Sequence, residues 1–250
     1  MSEIQEVKKK EKVCIVGCSD SKSETPFHLK DEFEFWGVNN LFLTMPGPWT
    51  RWFEIHQITC EGGKWLRRGK EEFRGQAVPD YLTQLGKLPF PVYCQQPNPF
   101  MPNAVAFPFK QIIDRFGTYF TNTISWQIAY AILEDFKEIR IYGVDMAVDS
   151  EYFWQRPSCE YFLGLAVGMG IKIWLPDTCD LLKTRFMYGY EEAKELPFRA
   201  KIESMKKSMQ KRANQAQAQL AHYDKQVQQY IGAMSAINEV DKIWKNVEGG

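Results

Sequence analysis

The chain has 250 residues, 44% of them hydrophobic and 25% charged, enough to bury one large domain or two small ones. Lys plus Arg and Asp plus Glu number 31 each, so no global field recruits nucleic acid or an anionic membrane surface. No run of about 18 apolar residues appears, so a membrane-crossing helix is not expected.

The first residues, Met1 to Glu6, lack an apolar stretch and do not read as a signal peptide, which points to the cytoplasm. Residues 1–11, with the run Lys8-Lys9-Lys10, read as a flexible tail. Lys12 to Gly17 is a short apolar run stopping at a glycine, the mark of a buried parallel strand. The small polar residues that follow, Cys18 to Ser23, favour a turn and a helix start. Glu34 to Val38 reads as a second strand ending at Asn39-Asn40, and Arg51 to Ile55 as a third ending at His56. Open α/β sheets bind their ligands at such carboxyl ends.

Gly63 to Leu85 is expected to contain a helix, Pro91 to Cys94 a strand, and Gln95 to Asn103 a long loop over the site. Thr123 to Phe136 reads as an apolar helix that Thr121, Asn122 or Thr123 can cap. Glu138 to Gly143 is a strand, Arg156 to Met169 a helix, and Ile171 to Leu175 a strand. This alternation calls for an α/β, Rossmann-like domain over residues 12–190, its mostly parallel sheet covered by helices on both faces. The six cysteines lack C-x-x-C spacing and are expected as free thiols.

Residues 191–250 differ in kind. Met209, Ala213, Ala216, Leu220, Tyr223, Val227, Tyr230, Met234 and Ile237 recur at alternating spacings of four and three, a heptad seam on one long helix. Self-association through that coiled-coil seam is the preferred reading; a helix folded back on its own sheet is the alternative.

Candidate site residues gather at the strand ends. Gly17, Ser19, Asp20 and Ser21 form the turn after the first strand, where amides and hydroxyls can hold phosphate oxygens, although Asp20 would repel them unless it caps a helix or meets a cation. Asn39 and Asn40 can read a base edge or a ribose hydroxyl, or form an ordinary turn. Arg51, Glu54 and His56 cluster on the third strand; Glu54 and His56 share a face and can act as a general-base pair. Thr121, Asn122, Thr123 and Ser125 open a helix whose positive dipole end suits an anion. Asp145 can bind ribose, a metal or the reacting group. Tyr152 and Gln155 lie in the next loop, and Arg156 can neutralise a phosphate or pair with Glu160. There is no G-x-G-x-x-G and no G-x-x-x-x-G-K-[ST].

The strand-one turn, the strand ending in Asn39, and the block from Thr121 to Met146 together resemble a Rossmann-like superfamily. It groups bacterial lipooligosaccharide sialyltransferases, Maf-type flagellin glycosyltransferases and archaeal 6-hydroxymethylpterin pyrophosphokinase; the run Phe35 to His56 also looks like phage-encoded relatives. The resemblance covers roughly residues 12 to 182. It implies that Gly17, Ser19 and Ser21 hold nucleotide phosphates, that Asn39 contacts the nucleotide, and that Thr121 to Ser125 help form a donor site. This chain departs from the pattern in having Cys18 and Asp20-Ser21 in the first motif. It also has no histidine between His56 and His222, where the sialyltransferases place their base.

The expectation is a nucleotide-dependent transferase, glycosyltransferase-like, taking a nucleotide-sugar as substrate with no tightly bound cofactor. His56 or Asp145 would serve as base and Arg156 would stabilise the leaving phosphate. The alternatives are a pyrophosphokinase needing Mg²⁺ on Asp20 and Asp145, and a nucleotide-binding scaffold of phage origin without chemistry.

Overall fold

The computed structural model describes residues 10–146, 154–183, 188–189 and 195–248. The chain divides near residue 184 into two compact units. The first is built on a seven-stranded sheet. In chain order its strands are β1 (Lys12–Val16), β2 (Phe33–Val38) and β3 (Arg51–Glu54). Two hairpins follow, β4 (Ile58–Glu61) with β5 (Lys64–Arg67) and β6 (Glu72–Phe73) with β7 (Gln76–Ala77), and then helix α1 (Val78–Gly86). Strands β8 (Val92–Cys94) and β9 (Ala104–Ala106) lead into α2 (Phe109–Phe116) and α3 (Thr123–Leu133). The unit closes with β10 (Glu138–Tyr142), α4 (Arg156–Gly168) and β11 (Lys172–Trp174). The second unit holds α5 (Glu195–Glu248), a single helix.

The sheet order is β11-β10-β1-β2-β3-β8-β9, and every pairing in it is parallel. Its strands are apolar because both faces are covered. Alternate residues serve opposite layers: Val13, Ile15, Ile139 and Ile141 pack under α3 and α4 with Ile128 and Phe162. Cys14, Val16, Phe35 and Trp52 pack on the other face with Tyr81, Leu82 and Leu85 of α1. Helices therefore lie on both faces, as the strand–helix alternation requires.

The helix expected within Gly63 to Leu85 is α1, and the two hairpins before it have strands too short for period-two alternation to show. Three expectations need correction. The 95–103 loop does not hang over a site: Met101 is buried in the second core, and Asn103 Nδ2 donates to the carbonyls of Leu85, Leu88 and Phe90. After β1 comes a five-residue 3₁₀ turn, Asp20–Glu24, rather than an α-helix, so no helix dipole points at that turn. The predicted tail also ends sooner than residue 11: Lys10 Nζ donates to the Phe33 carbonyl, and Glu11 O accepts from Lys137 N.

Candidate functional site

From β1 the chain builds outward through β2, β3, β8 and β9, then returns to place β10 and β11 on the other side of β1. The reversal opens a crevice at the carboxyl ends of β1 and β10, the switch point at which such sheets bind ligands. The crevice is held narrow at its floor. Gly17 N donates to Tyr142 O and Ser19 N to Gly143 O, both at 2.8 Å. A Cβ on Gly17 would stand 2.4 Å from Gly143 O, and Gly143 itself has φ +64°. Only glycine allows this approach.

Above that floor lies a cleft of about 570 Å³. Its walls are the β1 turn (Gly17, Cys18, Ser19), the β2 end (Asn39, Asn40), the β3 end (Ile55, His56), the hairpins (Arg67, Arg68, Phe73, Arg74) and the start of α3 (Thr121 to Ile124). Phe120, Trp126 and Gln155 line it too, as do Val38 and the β10 turn at Gly143, Val144 and Met146. Phe120 stacks on Trp126 with centroids 3.6 Å apart and on Phe162 at 4.6 Å, which presents a fixed aromatic wall. Among the described residues the lining carries three arginines and no carboxylate, a local positive surplus in a chain of zero net charge.

His56 is oriented from behind. Its Nδ1 lies 2.6 Å from Glu54 Oε1. Glu54 is fully buried, accepts from Tyr81 Oη, and faces Arg67 Nη2 at 3.1 Å. Burial works against the Glu54 charge, but the hydrogen bond from His56 and the Arg67 cation outweigh it and hold the carboxyl below the ordinary range. Tyr81 shifts the other way: burial and the Glu54 charge raise its phenol, which stays protonated and donates. Arg67 Nη2 also stands 2.7 Å from His56 Nδ1, and Nδ1 cannot both donate to Glu54 and accept from Arg67. The ionised carboxylate decides: Nδ1 carries the proton and Nε2 is left as the basic nitrogen.

The start of α3 is fixed by Asn122, whose side chain accepts from Ser125 N at 2.9 Å and whose Nδ2 donates to Gln155 O at 2.9 Å. Thr121 Oγ1 meets Ser158 Oγ at 2.6 Å. Of the three residues able to cap this helix, Asn122 does so, and the cap ties α3 to the beginning of α4.

Of the residues expected from sequence, Gly17, Ser19, Asn39, Asn40, His56, Thr121, Asn122, Thr123 and Gln155 line the cleft. The others do not. Ser21 and Asp145 bind each other: the Ser21 hydroxyl donates to Asp145 Oδ1 and accepts from Gly143 N, a clasp between the β1 and β10 turns. That contact engages the carboxylate expected as a base. Asp20 and Ser125 are outside the lining, Ser125 being buried and spent on the cap. Glu54 lies behind His56 and positions it rather than meeting a ligand.

Arg51 is the first residue of β3, at the end of the strand away from the cleft. It pairs with Glu34 at 2.8 Å and Glu134 at 3.4 Å and stacks on Trp36. Arg156 pairs with Glu160 at 2.8 Å and donates to Lys183 O, also outside the lining. Tyr152 lies outside the described residues. Among the described residues no three His, Cys, Asp or Glu side chains gather as a metal group.

Comparison with known proteins gives a likeness of shape. No protein-family model and no curated protein matches the chain. Solved structures do match. Sialyltransferase CstII of Campylobacter jejuni, in complex with cytidine-5'-monophosphate, is similar at 16% identity and a TM-score of 0.41, over 68% of this chain and 80% of that one. The monofunctional α-2,3-sialyltransferase Cst-I of the same organism is similar at 14% identity and a TM-score of 0.39, over 68% and 76%. At this distance a likeness assigns neither activity nor residues, and the site stands on its own geometry.

Sequence reasoning missed Arg67, Arg68, Phe73 and Arg74, all carried by the hairpins inserted between β3 and α1. The available signal was Gly62-Gly63 between two β-branched or aromatic stretches, a favoured hairpin pair. All six cysteines are free; Cys18 lines the cleft, and desolvation, opposed by the charges of Lys22 and Arg74, raises its thiol. Burial likewise pushes Cys14 and Cys159 up to about 12, and Cys94 and Cys179 up to about 11.

Proposed function

We propose that the cleft binds a nucleotide-linked sugar and that the protein transfers the glycosyl group to an acceptor hydroxyl. The observation that carries this reading is the cleft itself. An arginine-rich, carboxylate-free crevice at the sheet's switch point also holds a carboxylate-oriented histidine. Asn39 and Asn40 offer amides to a base or ribose, the Phe120–Trp126 wall offers an apolar face, and the arginines face the phosphate. The acceptor oxygen attacks the anomeric carbon as the bond from that carbon to the phosphate oxygen breaks. The acceptor proton passes to His56 Nε2, and the departing oxygen keeps the electron pair as a phosphate anion beside the arginines. Glu54 stabilises the imidazolium so formed.

The test is thermal shift and calorimetry on the full chain with a panel of nucleotides and nucleotide sugars, followed by a search for turnover with whatever binds. Ligand at about 100 times its dissociation constant adds about 2.7 kcal/mol of stability. His56→Ala is expected to retain affinity within about threefold while losing about 100-fold or more in kcat. A panel without a binder sinks the reading, as does a His56→Ala protein that turns over normally.

We also infer that α5 joins two or more copies of the chain. Along α5, Leu220, Tyr223, Val227, Tyr230, Met234 and Ile237 of the heptad seam are exposed. The flanking positions are mostly uncharged, with Gln217, Gln219, Gln226 and Asn238 among them, so no like charges oppose pairing. Sedimentation over a concentration series should show an oligomer, and Leu220→Asp with Val227→Asp should dissociate it. A monomer at every concentration refutes the inference.

A further inference from the structure

Three tight two-residue turns follow β3, at Gly62-Gly63, Arg68-Gly69 and Arg74-Gly75. In each, both central residues have positive φ: +56° and +82°, +52° and +74°, +54° and +78°. Hairpin turns of this kind favour Gly-Gly, Asn-Gly or Asp-Gly, because an L side chain in the left-handed region is strained. The turn outside the cleft is Gly-Gly. The two turns that line it both place an arginine at the strained first position. Backbone strain held at a cleft wall is a mark of function.

The charge arrangement indicates which function. Arg67 is 7% exposed and its charge is met by Glu54, but its Nε is buried without a hydrogen-bond partner. Arg68 and Arg74 are exposed, and among the described residues neither side chain makes an ion pair or hydrogen bond. Arg74 and the β1 turn at Gly17, Cys18 and Ser19 line the same cleft, so this hairpin tip shares a wall space with that turn. Glu54 thus cancels one of the three arginines and leaves two positive charges for a ligand. A sugar ester of a nucleoside monophosphate carries one negative charge at its linkage; a diphosphate linkage carries two.

We propose that Arg67, Arg68 and Arg74 form a clamp for a diphosphate, so that the donor is a nucleoside diphosphate-linked sugar rather than a monophosphate-linked one. This rests on the nucleotide-sugar reading above and specifies its substrate class. Arg68 and Arg74 each hold one phosphate through charge-assisted hydrogen bonds, and Arg67 contributes its buried Nε–H at the inner end.

The experiment is calorimetry on the full chain with mono- and diphosphates of the same nucleosides, and with inorganic phosphate and pyrophosphate. Wild type is compared with Arg68→Asn/Arg74→Asn, since asparagine accepts the left-handed turn position and keeps the hairpins folded. The expected result is a diphosphate preference of at least about tenfold in wild type, falling to about threefold or less in a double variant that melts no lower than wild type. Equal mono- and diphosphate affinity, or a preference that survives the double substitution, overturns the clamp and leaves the nucleotide reading intact. Pyrophosphate binding that the double variant loses, with no nucleotide bound, upholds the clamp and removes the nucleotide reading. Binding of neither overturns both.

Discussion

Replacing Glu54 by glutamine tests the buried network that orients His56. The substitution keeps the side-chain shape but leaves Arg67, 7% exposed, without its counter-charge at 3.1 Å. Removing one partner of a buried ion pair costs about 3–5 kcal/mol. The amide can keep one neutral hydrogen bond, worth about 1 kcal/mol, so the net loss is about 2–4 kcal/mol. For a domain of this size that is a fall of about 5–15 °C in Tm. The pH dependence has a definite sign. The Glu54 carboxyl is held low in the folded state, so its stabilisation is complete above the unfolded value of 4.5 and is lost as pH falls through the lower folded value. Scanning calorimetry at pH 7 and pH 3 should therefore show a large gap between wild type and Glu54→Gln at pH 7 and a much smaller one at pH 3. Pairing Glu54→Leu with Arg67→Met should recover part of the loss, because no charge is then stranded. Equal gaps at both pH values, or a double variant as unstable as the sum of its parts, would refute the account.

Four further outcomes follow from the same geometry. Gly17→Ala puts a Cβ 2.4 Å from Gly143 O, so calorimetry should find it destabilised by about 1–3 kcal/mol or more, with ligand affinity lost as the crevice floor is forced apart. Arg51→Ala strands Glu34, which is 1% exposed, and should cost about 3 kcal/mol in a denaturant melt while leaving nucleotide affinity unchanged; weakened binding would return Arg51 to the site. Asn122→Ala removes the α3 cap and should cost about 1–2 kcal/mol by urea denaturation, with a loss under about 0.3 kcal/mol arguing against the cap. Arg68→Asn and Arg74→Asn should each hold or raise stability, by up to about 1 kcal/mol, as left-handed strain is relieved; a falling Tm would show that these arginines serve the fold.

Much of the domain was legible in the sequence because a doubly covered parallel sheet writes its strands as continuous apolar runs. The runs at Lys12–Val16 and Glu138–Tyr142 are each followed by a glycine, Gly17 and Gly143, and those glycines mark the crevice where the cleft lies. The Glu54–His56 pairing was also legible, since residues two apart in a strand share a face. So was the α3 cap, from the small polar residues before an apolar run. The heptad seam on α5 is a property of spacing alone.

Sequence could not show which side chains are consumed by one another. Asp145 and Ser21 are 124 residues apart, and only the adjacency of β1 and β10 turns them into a clasp. Arg51 looked like a ligand-binding cation until the direction of β3 put it at the far end of the strand, against Glu34. The arginines that do line the cleft sit on hairpins with strands of two to four residues, too brief for any period to register. Local spacing determined the strands, the cap and the long helix, because those depend on neighbours in the chain. The order of the strands in the sheet determined which charges meet and which face the cleft, and that order depends on contacts between residues far apart.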